Sequence, residues 1–293
     1  LLTIKQLQQT LTTHNILPKK QLGQNFLIDR NIRNKIISFA DITQNDIVIE
    51  IGPGLGALTG TLAEQAKVVY GFEKDRKLVE ILKNRVANIS NIFIEEKDFL
   101  ELDENFFRRF ENKIKIIGNL PYYVASPILF NLLETRSYWK LAVVMIPEEV
   151  AVRIVAKPND KNFGLMAVLF SLLTSCSICY KVSGSVFYPE PEINSVVIKI
   201  LSREKPAINI QNPEAFWYIL PKLYTQRRKT ILNVVSNSFK LDKMAANSVL
   251  KKAGIRPDLR SHQIDIDRIL VLVEQISKIK THKSILHPGK KEV

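Results

Sequence analysis

Residues 46–51, Asp-Ile-Val-Ile-Glu-Ile, run straight into Gly52-Pro53-Gly54-Leu55-Gly56, and no other feature restricts the possible folds as much. A short β-branched run reads as a strand. Three alternate glycines let the backbone turn sharply and admit a ligand close to the main chain, and a helix after such a loop offers free N–H groups. The same rhythm recurs downstream, with strand-like runs at 67–73, 91–96, 113–117 and 141–146. Between them lie segments with apolar residues at helical spacing, such as Leu78, Val79, Leu82 and Val86. Strand, helix, strand at this interval predicts parallel β-α-β units and a doubly wound, mostly parallel sheet of the α/β class. Runs at 175–182 and 194–201 have no full helix between them, which predicts an antiparallel pair at the end of the sheet.

Residues 202–213 are polar and include Pro206 and Pro213, which places a domain boundary there. The predicted domains are 1–205 and 206–280, the second small and all-helical. Its helices are expected at 213–223, 228–237, 243–252 and 265–279, with Gly254 capping the third. The tail 281–293 is expected to fray.

Composition narrows the function. The chain has 293 residues, 46% hydrophobic and 24% charged, which excludes a mostly disordered or fibrous protein. No apolar run reaches the ~18 residues of a membrane helix, so no membrane partner is expected. The first twenty residues are mixed polar, unlike a secretory signal. Two cysteines exclude a disulfide scaffold and suggest a reducing, cytoplasmic setting. The net charge is +13, and residues 201–293 carry 18 Lys/Arg against 8 Asp/Glu. A cationic last third favours a polyanion or an anionic surface as partner.

Two acids sharpen the reading of the glycine loop. Glu73 ends the second strand, 21 residues after Gly52, where a carboxylate can hold both hydroxyls of a ribose. Asp98, just past the third strand, can accept from an adenine amino group, with Phe99 packing on the ring. Both acids fall at carboxyl ends of parallel strands, where open α/β sheets bind ligands. Gly52, Gly54, Glu73 and Asp98 together point to an adenosine-containing cofactor without saying which one.

After the fourth strand comes Gly118-Asn119-Leu120-Pro121-Tyr122-Tyr123. Asn-x-Pro-Tyr at this place resembles the motif of S-adenosylmethionine-dependent enzymes that methylate exocyclic amino groups. An adenine amino lone pair is delocalised into the ring and is a poor nucleophile. Acceptors for its N–H groups, the Asn119 side-chain oxygen and the Leu120 carbonyl, would turn the lone pair toward the methyl. They would also stabilise positive charge growing on nitrogen. Tyr122 could stack on an extruded base.

Further segments extend the likeness. Lys19-Lys20-Gln21-Leu22-Gly23-Gln24-Asn25-Phe26-Leu27 and Phe187-Tyr188-Pro189-Glu190-Pro191-Glu192-Ile193-Asn194-Ser195 resemble two signatures of the KsgA (RsmA) family of rRNA adenine dimethyltransferases. The segment from Tyr224 through Arg227-Arg228-Lys229-Thr230 to Asn233 resembles that family's basic helix. The resemblance implies a Rossmann-like methyltransferase sheet with a helical C-terminal domain. It also implies methylation of N6 of two adjacent adenosines in the 3′-terminal hairpin of small-subunit rRNA, within a pre-assembled 30S-type particle, by a monomer. Asn25 and Leu27 would close over S-adenosylmethionine, Gly52 would approach its methionine part, and Glu73 and Asp98 would hold ribose and adenine. Asn119 would hold the target N6, Tyr122 and Phe187 would sandwich the base, and Arg227, Arg228 and Lys229 would meet RNA. Two departures, Arg260-Ser261-His262 in place of the family's Arg-Ala-Glu and Tyr224 in place of Phe, fall in the helical domain.

Rival readings are a large-subunit methyltransferase of the Erm class, a non-catalytic assembly or transcription-factor paralogue, and a dehydrogenase. The last would not explain Asn119–Tyr122. Cys176 and Cys179 form a C-x-x-C without a second pair, and His14, His262, His282 and His287 show no ligand spacing, so core cysteines and no metal are expected.

Overall fold

The computed structural model of the chain describes residues 1–18 and 24–279. The signature residues Lys19–Gly23 and the expected tail 281–293 lie outside the described residues. The chain falls into two compact units. One is Leu1–Ala151 with Leu173–Glu204; the other is Val152–Leu172 with the chain from Lys205 onward. A single cut at 205 does not describe this division, because Val152–Leu172 belongs with the later segment.

In the first unit, helix α1 (Ile4–Thr13) starts at a reciprocal cap between Thr3 and Gln6. The two-residue strand β1 (Phe26–Leu27) precedes α2 (Arg30–Phe39), whose first turn is capped by Asp29. Then β2 (Ile47–Ile51), α3 (Thr59–Gln65), β3 (Val68–Glu73), α4 (Arg76–Val86) and β4 (Ile92–Glu96) alternate as their apolar periods predict. They are followed by α5 (Glu104–Arg108), β5 (Ile114–Asn119), α6 (Ala125–Glu134) and β6 (Trp139–Pro147). Helices α7 (Glu148–Val155) and α8 (Leu165–Leu173) lie between β6 and the last strands, β7 (Thr174–Val182), β8 (Phe187–Tyr188) and β9 (Ser195–Ser202).

Among the described residues the main sheet has seven strands in the order β4-β3-β2-β5-β6-β9-β7. The first five are parallel, and β9 runs antiparallel between β6 and β7. This is the expected fold, with β7 and β9 as the antiparallel pair. The strand order reverses between β2 and β5, which opens a crevice at their carboxyl ends, the usual ligand position in such sheets. Central strands are apolar on both faces because helices cover both: Val48, Ile49, Ile116, Ile117, Val143 and Val144 are buried. A two-stranded ribbon of β1 and β8 pairs Leu27 with Phe187 and Phe26 with Tyr188.

The second unit contains α9 (Pro213–Leu223), α10 (Ile231–Phe239), α11 (Lys243–Lys252) and α12 (Ile266–Ile279). Asn212 caps α9 and Asp242 caps α11. Gly254, just past α11, takes φ +66°, the left-handed turn that ends a helix most easily at glycine. Phe216, Ile219, Val234, Val235, Leu250, Leu272 and Ile276 are buried in this unit. Helix α10 begins at Ile231 after an extended Thr230, not at residue 228. The basic triplet therefore sits in the turn before the helix.

Candidate active site

Each glycine of the loop after β2 is left-handed, with φ +63° at Gly52, +58° at Gly54 and +82° at Gly56. Gly52 N–H donates to the Phe72 carbonyl at 3.0 Å, which ties the loop to the end of β3. Gly54 N–H donates to Glu73 Oε2 at 3.0 Å, and Asp75 N–H donates to Glu73 Oε1 at 2.9 Å. The Glu73 carboxylate is thus held under the loop by two main-chain donors. Burial raises its pKa above the usual range, and the amide donors oppose that rise.

These groups line a cavity of about 430 Å³. Its wall includes Asn25 and Leu27 from the N-terminal segment, Gly52 and Gly54 from the loop, and Asp98 and Asn119 from strand ends. All seven cofactor positions expected from the sequence, Glu73 included, therefore meet in one place. Asp98 caps the short turn Phe99–Glu101 through Leu100 N–H at 3.0 Å and pairs with Lys74 Nζ at 3.0 Å. Asn119 closes β5, and its Nδ2 donates to the Asn25 carbonyl at 3.1 Å. That bond uses the amino side of the amide and leaves Oδ1 as the accepting side. Leu120 is buried, and its N–H donates to Met145 O on β6 at 3.0 Å, so the motif backbone is fixed.

The aromatic clamp is not built as expected. Phe187 is only 3% exposed and packs in the core with Leu27, Val182 and Val197. In this structure Phe187 thus packs as a core residue, with little of its ring open to a base. Tyr122 is half-buried, and its hydroxyl lies 2.6 Å from Ser195 Oγ. The next residue, Tyr123, is 48% exposed and lines the cavity.

Sequence reasoning also missed Glu50. It lines the cavity, is buried, and its Oε2 has no hydrogen-bond partner among the described residues. Burial pushes its carboxyl up to about 8. The signal was an acid inside an otherwise apolar strand.

In the second unit Arg227 donates through its guanidinium to the carbonyls of Lys161 and Phe163. It braces Val152–Leu172 against the turn before α10. Arg228 and Lys229 are exposed. Cys176 and Cys179 are free and half-buried on β7, an edge strand, with Cys179 packed against the core.

The family model for ribosomal RNA adenine dimethylase matches residues 16–278. The chain belongs to the ribosomal RNA adenine dimethylase family. Among relatives in this family, the ribosomal RNA small subunit methyltransferase A of Bacillus mycoides (strain KBAB4) is 39% identical over 261 residues, covering 87% of this chain and 89% of the relative. That of Bacillus cereus (strain AH187) is 38% identical with the same coverage. The crystal structure of a dimethyladenosine transferase from Plasmodium falciparum is similar with a TM-score of 0.71 at 26% identity, covering 86% of this chain and 98% of that one. The 23S rRNA methyltransferase ErmE shares the fold, with a TM-score of 0.64 at 23% identity and coverage of 86% and 99%. Membership makes the protein a methyl-transferring enzyme acting on ribosomal RNA, with a methyl donor as its second substrate. No helix among the described residues is long and apolar enough to cross a membrane.

Proposed function

We propose that the protein transfers methyl groups from S-adenosylmethionine to N6 of two adjacent adenosines in the 3′-terminal hairpin of small-subunit rRNA, giving dimethyladenosines. The observation that carries the reading is Asn119. It stands on the wall of the cavity, with its amino side engaged by Asn25 and its carbonyl side left to accept.

The cavity fits the proposed donor. A Cβ on Gly54 would come within 3.6 Å of the Phe26 ring, and Gly52 and Gly54 take left-handed φ values, so the loop offers bare backbone to a ligand. The half-buried Glu73 carboxylate and the buried Glu50 carboxyl suit a ligand that brings hydroxyl groups. When bound, the donor supplies an electrophilic methyl on a sulfonium. Glu73 would hold the ribose hydroxyls, Asp98 the adenine amino group, and Asn25 and Leu27 the near side of the site.

At the target base, Asn119 Oδ1 and the Leu120 carbonyl would accept the N6–H bonds and share the charge that develops on nitrogen. No strong base is needed, because the proton becomes acidic only once the nitrogen is alkylated. The half-buried Tyr122 ring would stack on the extruded adenine, at roughly 1–3 kcal/mol per base. Arg228 and Lys229 would meet phosphates. The substrate would be a pre-assembled 30S-type particle, met in the cytoplasm by a monomer.

The test is to incubate the protein with radiolabelled S-adenosylmethionine and either unmethylated small subunits or large-subunit rRNA, and to map the product. Label at two adjacent adenosines near the 3′ end of the small-subunit RNA is expected. Label on the large-subunit RNA alone overturns the proposal in favour of Erm-type specificity.

A further inference from the structure

We infer that Ser195 is a positioning residue for methyl transfer, acting through the hydroxyl of Tyr122. The inference rests on the adenine-methylation reading and assigns a task to a residue outside the cavity wall.

Ser195 opens β9 and is fully buried, at 0% exposure. It lies in register with Pro147 of β6 and Val182 of β7, held from both sides by the antiparallel part of the sheet. The residue before it, Asn194, accepts from Glu148 N–H at 3.0 Å, which fixes the entry to β9. Tyr122 follows Asn119 by three residues, in the short turn Tyr122–Val124. Its hydroxyl meets Ser195 Oγ at 2.6 Å across 73 positions of sequence.

A tyrosine ring fixed only at its backbone can turn about χ1 and χ2. Tied also at the hydroxyl, it keeps one χ1 position, and the in-plane preference of a phenol's hydrogen bonds favours one ring plane. Ser195 therefore holds in place the ring that follows Asn119 by three residues. A stacking partner held in place before the base arrives loses no rotamer freedom when the base is extruded. The bond also satisfies a buried hydroxyl, a purely structural gain that the experiment must separate from positioning.

Ser195→Ala, Tyr122→Phe and the double variant are compared with wild type. The readouts are single-turnover methylation of unmethylated small subunits at saturating S-adenosylmethionine, the dissociation constant for S-adenosylmethionine, and the melting temperature. Each single variant is expected to slow transfer about three- to ten-fold with cofactor affinity unchanged, to lose a few degrees of melting temperature with the buried bond, and the double variant to be no slower than the worse single. Wild-type rates in Ser195→Ala overturn the inference. So do multiplicative losses in the double variant, and so does a loss of activity matched by loss of cofactor affinity or by unfolding at the assay temperature. If wild type itself leaves the small-subunit adenosines unmethylated, the underlying reading fails. If wild type methylates them and Ser195→Ala does so equally well, only the role of Ser195 fails.

Discussion

Burial in the sheet pushes the Glu50 carboxyl up to about 8, and the charge of Glu73 pushes it the same way. In the unfolded chain a glutamate ionises near 4.5, whereas the buried one ionises at about 8. Between those values the folded protein binds a proton that the unfolded chain lacks, so stability falls as pH rises through the window. Glu50→Gln removes that dependence. The melting temperature of the variant relative to wild type should therefore climb from about pH 5 to about pH 8, a relative gain on the order of a few kcal/mol at most. A constant difference across the range would show that Glu50 is ionised in the fold. Asn119→Ala should lower turnover by roughly 10²–10³, because the lost acceptor matters most as charge develops. The variant also loses the bond to Asn25, so cofactor affinity should fall with it by several-fold in calorimetry, while subunit affinity stays put. Glu73→Ala should weaken S-adenosylmethionine binding by about ten-fold or more, since it unpairs buried hydroxyls and frees the Gly54 and Asp75 amides. The positions of Glu73, Asp98 and Asn119 were legible because each follows a strand, and parallel strands deliver their ends to one edge. Phe187 was not, since a motif names a residue type and leaves its exposure open. Glu50 and Tyr123 stood beside recognised motifs, and only burial and exposure tell them apart from filler.

The strands of the central sheet could be placed to within two or three residues because buried parallel strands are continuous apolar runs. The β1–β8 ribbon could not, since two residues carry no period and their pairing spans most of the first unit. The start of α10 was misplaced for a different reason. Arg, Arg and Lys are good helix formers, and their composition hid the cap at Thr230, whose extended backbone stops the helix there. The difference changes what the triplet does. In a helix its members would fan out around the axis; in this turn Arg227 is spent on two main-chain carbonyls, while Arg228 and Lys229 stay exposed. Arg227→Ala should therefore lower the melting temperature and leave the salt dependence of subunit binding unchanged. Arg228→Ala with Lys229→Ala should do the reverse, flattening the slope of log affinity against log salt by up to about one unit per lost phosphate contact. An unchanged slope in the second variant would remove both residues from the RNA surface.

At the level of the whole chain, the excess of positive charge was readable from counting, and so was the succession of an α/β half and a helical part. The boundary was not. Val152–Leu172 falls inside the domain 1–205 expected from the sequence, yet its partners come from far downstream: Asn159 N–H donates to His262 O, and Ala207 N–H to Leu172 O. Such pairings leave no local period to detect. They bear on how the protein is made. During synthesis, residues 152–172 leave the ribosome before β7 and β9 have completed the sheet and well before their own partners exist. Phe163, Leu169 and Phe170, all buried in the finished fold, must wait exposed while the rest of the chain is translated. A fragment ending at 205 should thus remain in that waiting state, binding hydrophobic dye and sedimenting as aggregates. A fragment that also replaces 152–172 with a short glycine-serine linker should stay dispersed. A stretch of about twenty residues thus makes late completion of the chain the step at which a newborn copy is most exposed to aggregation.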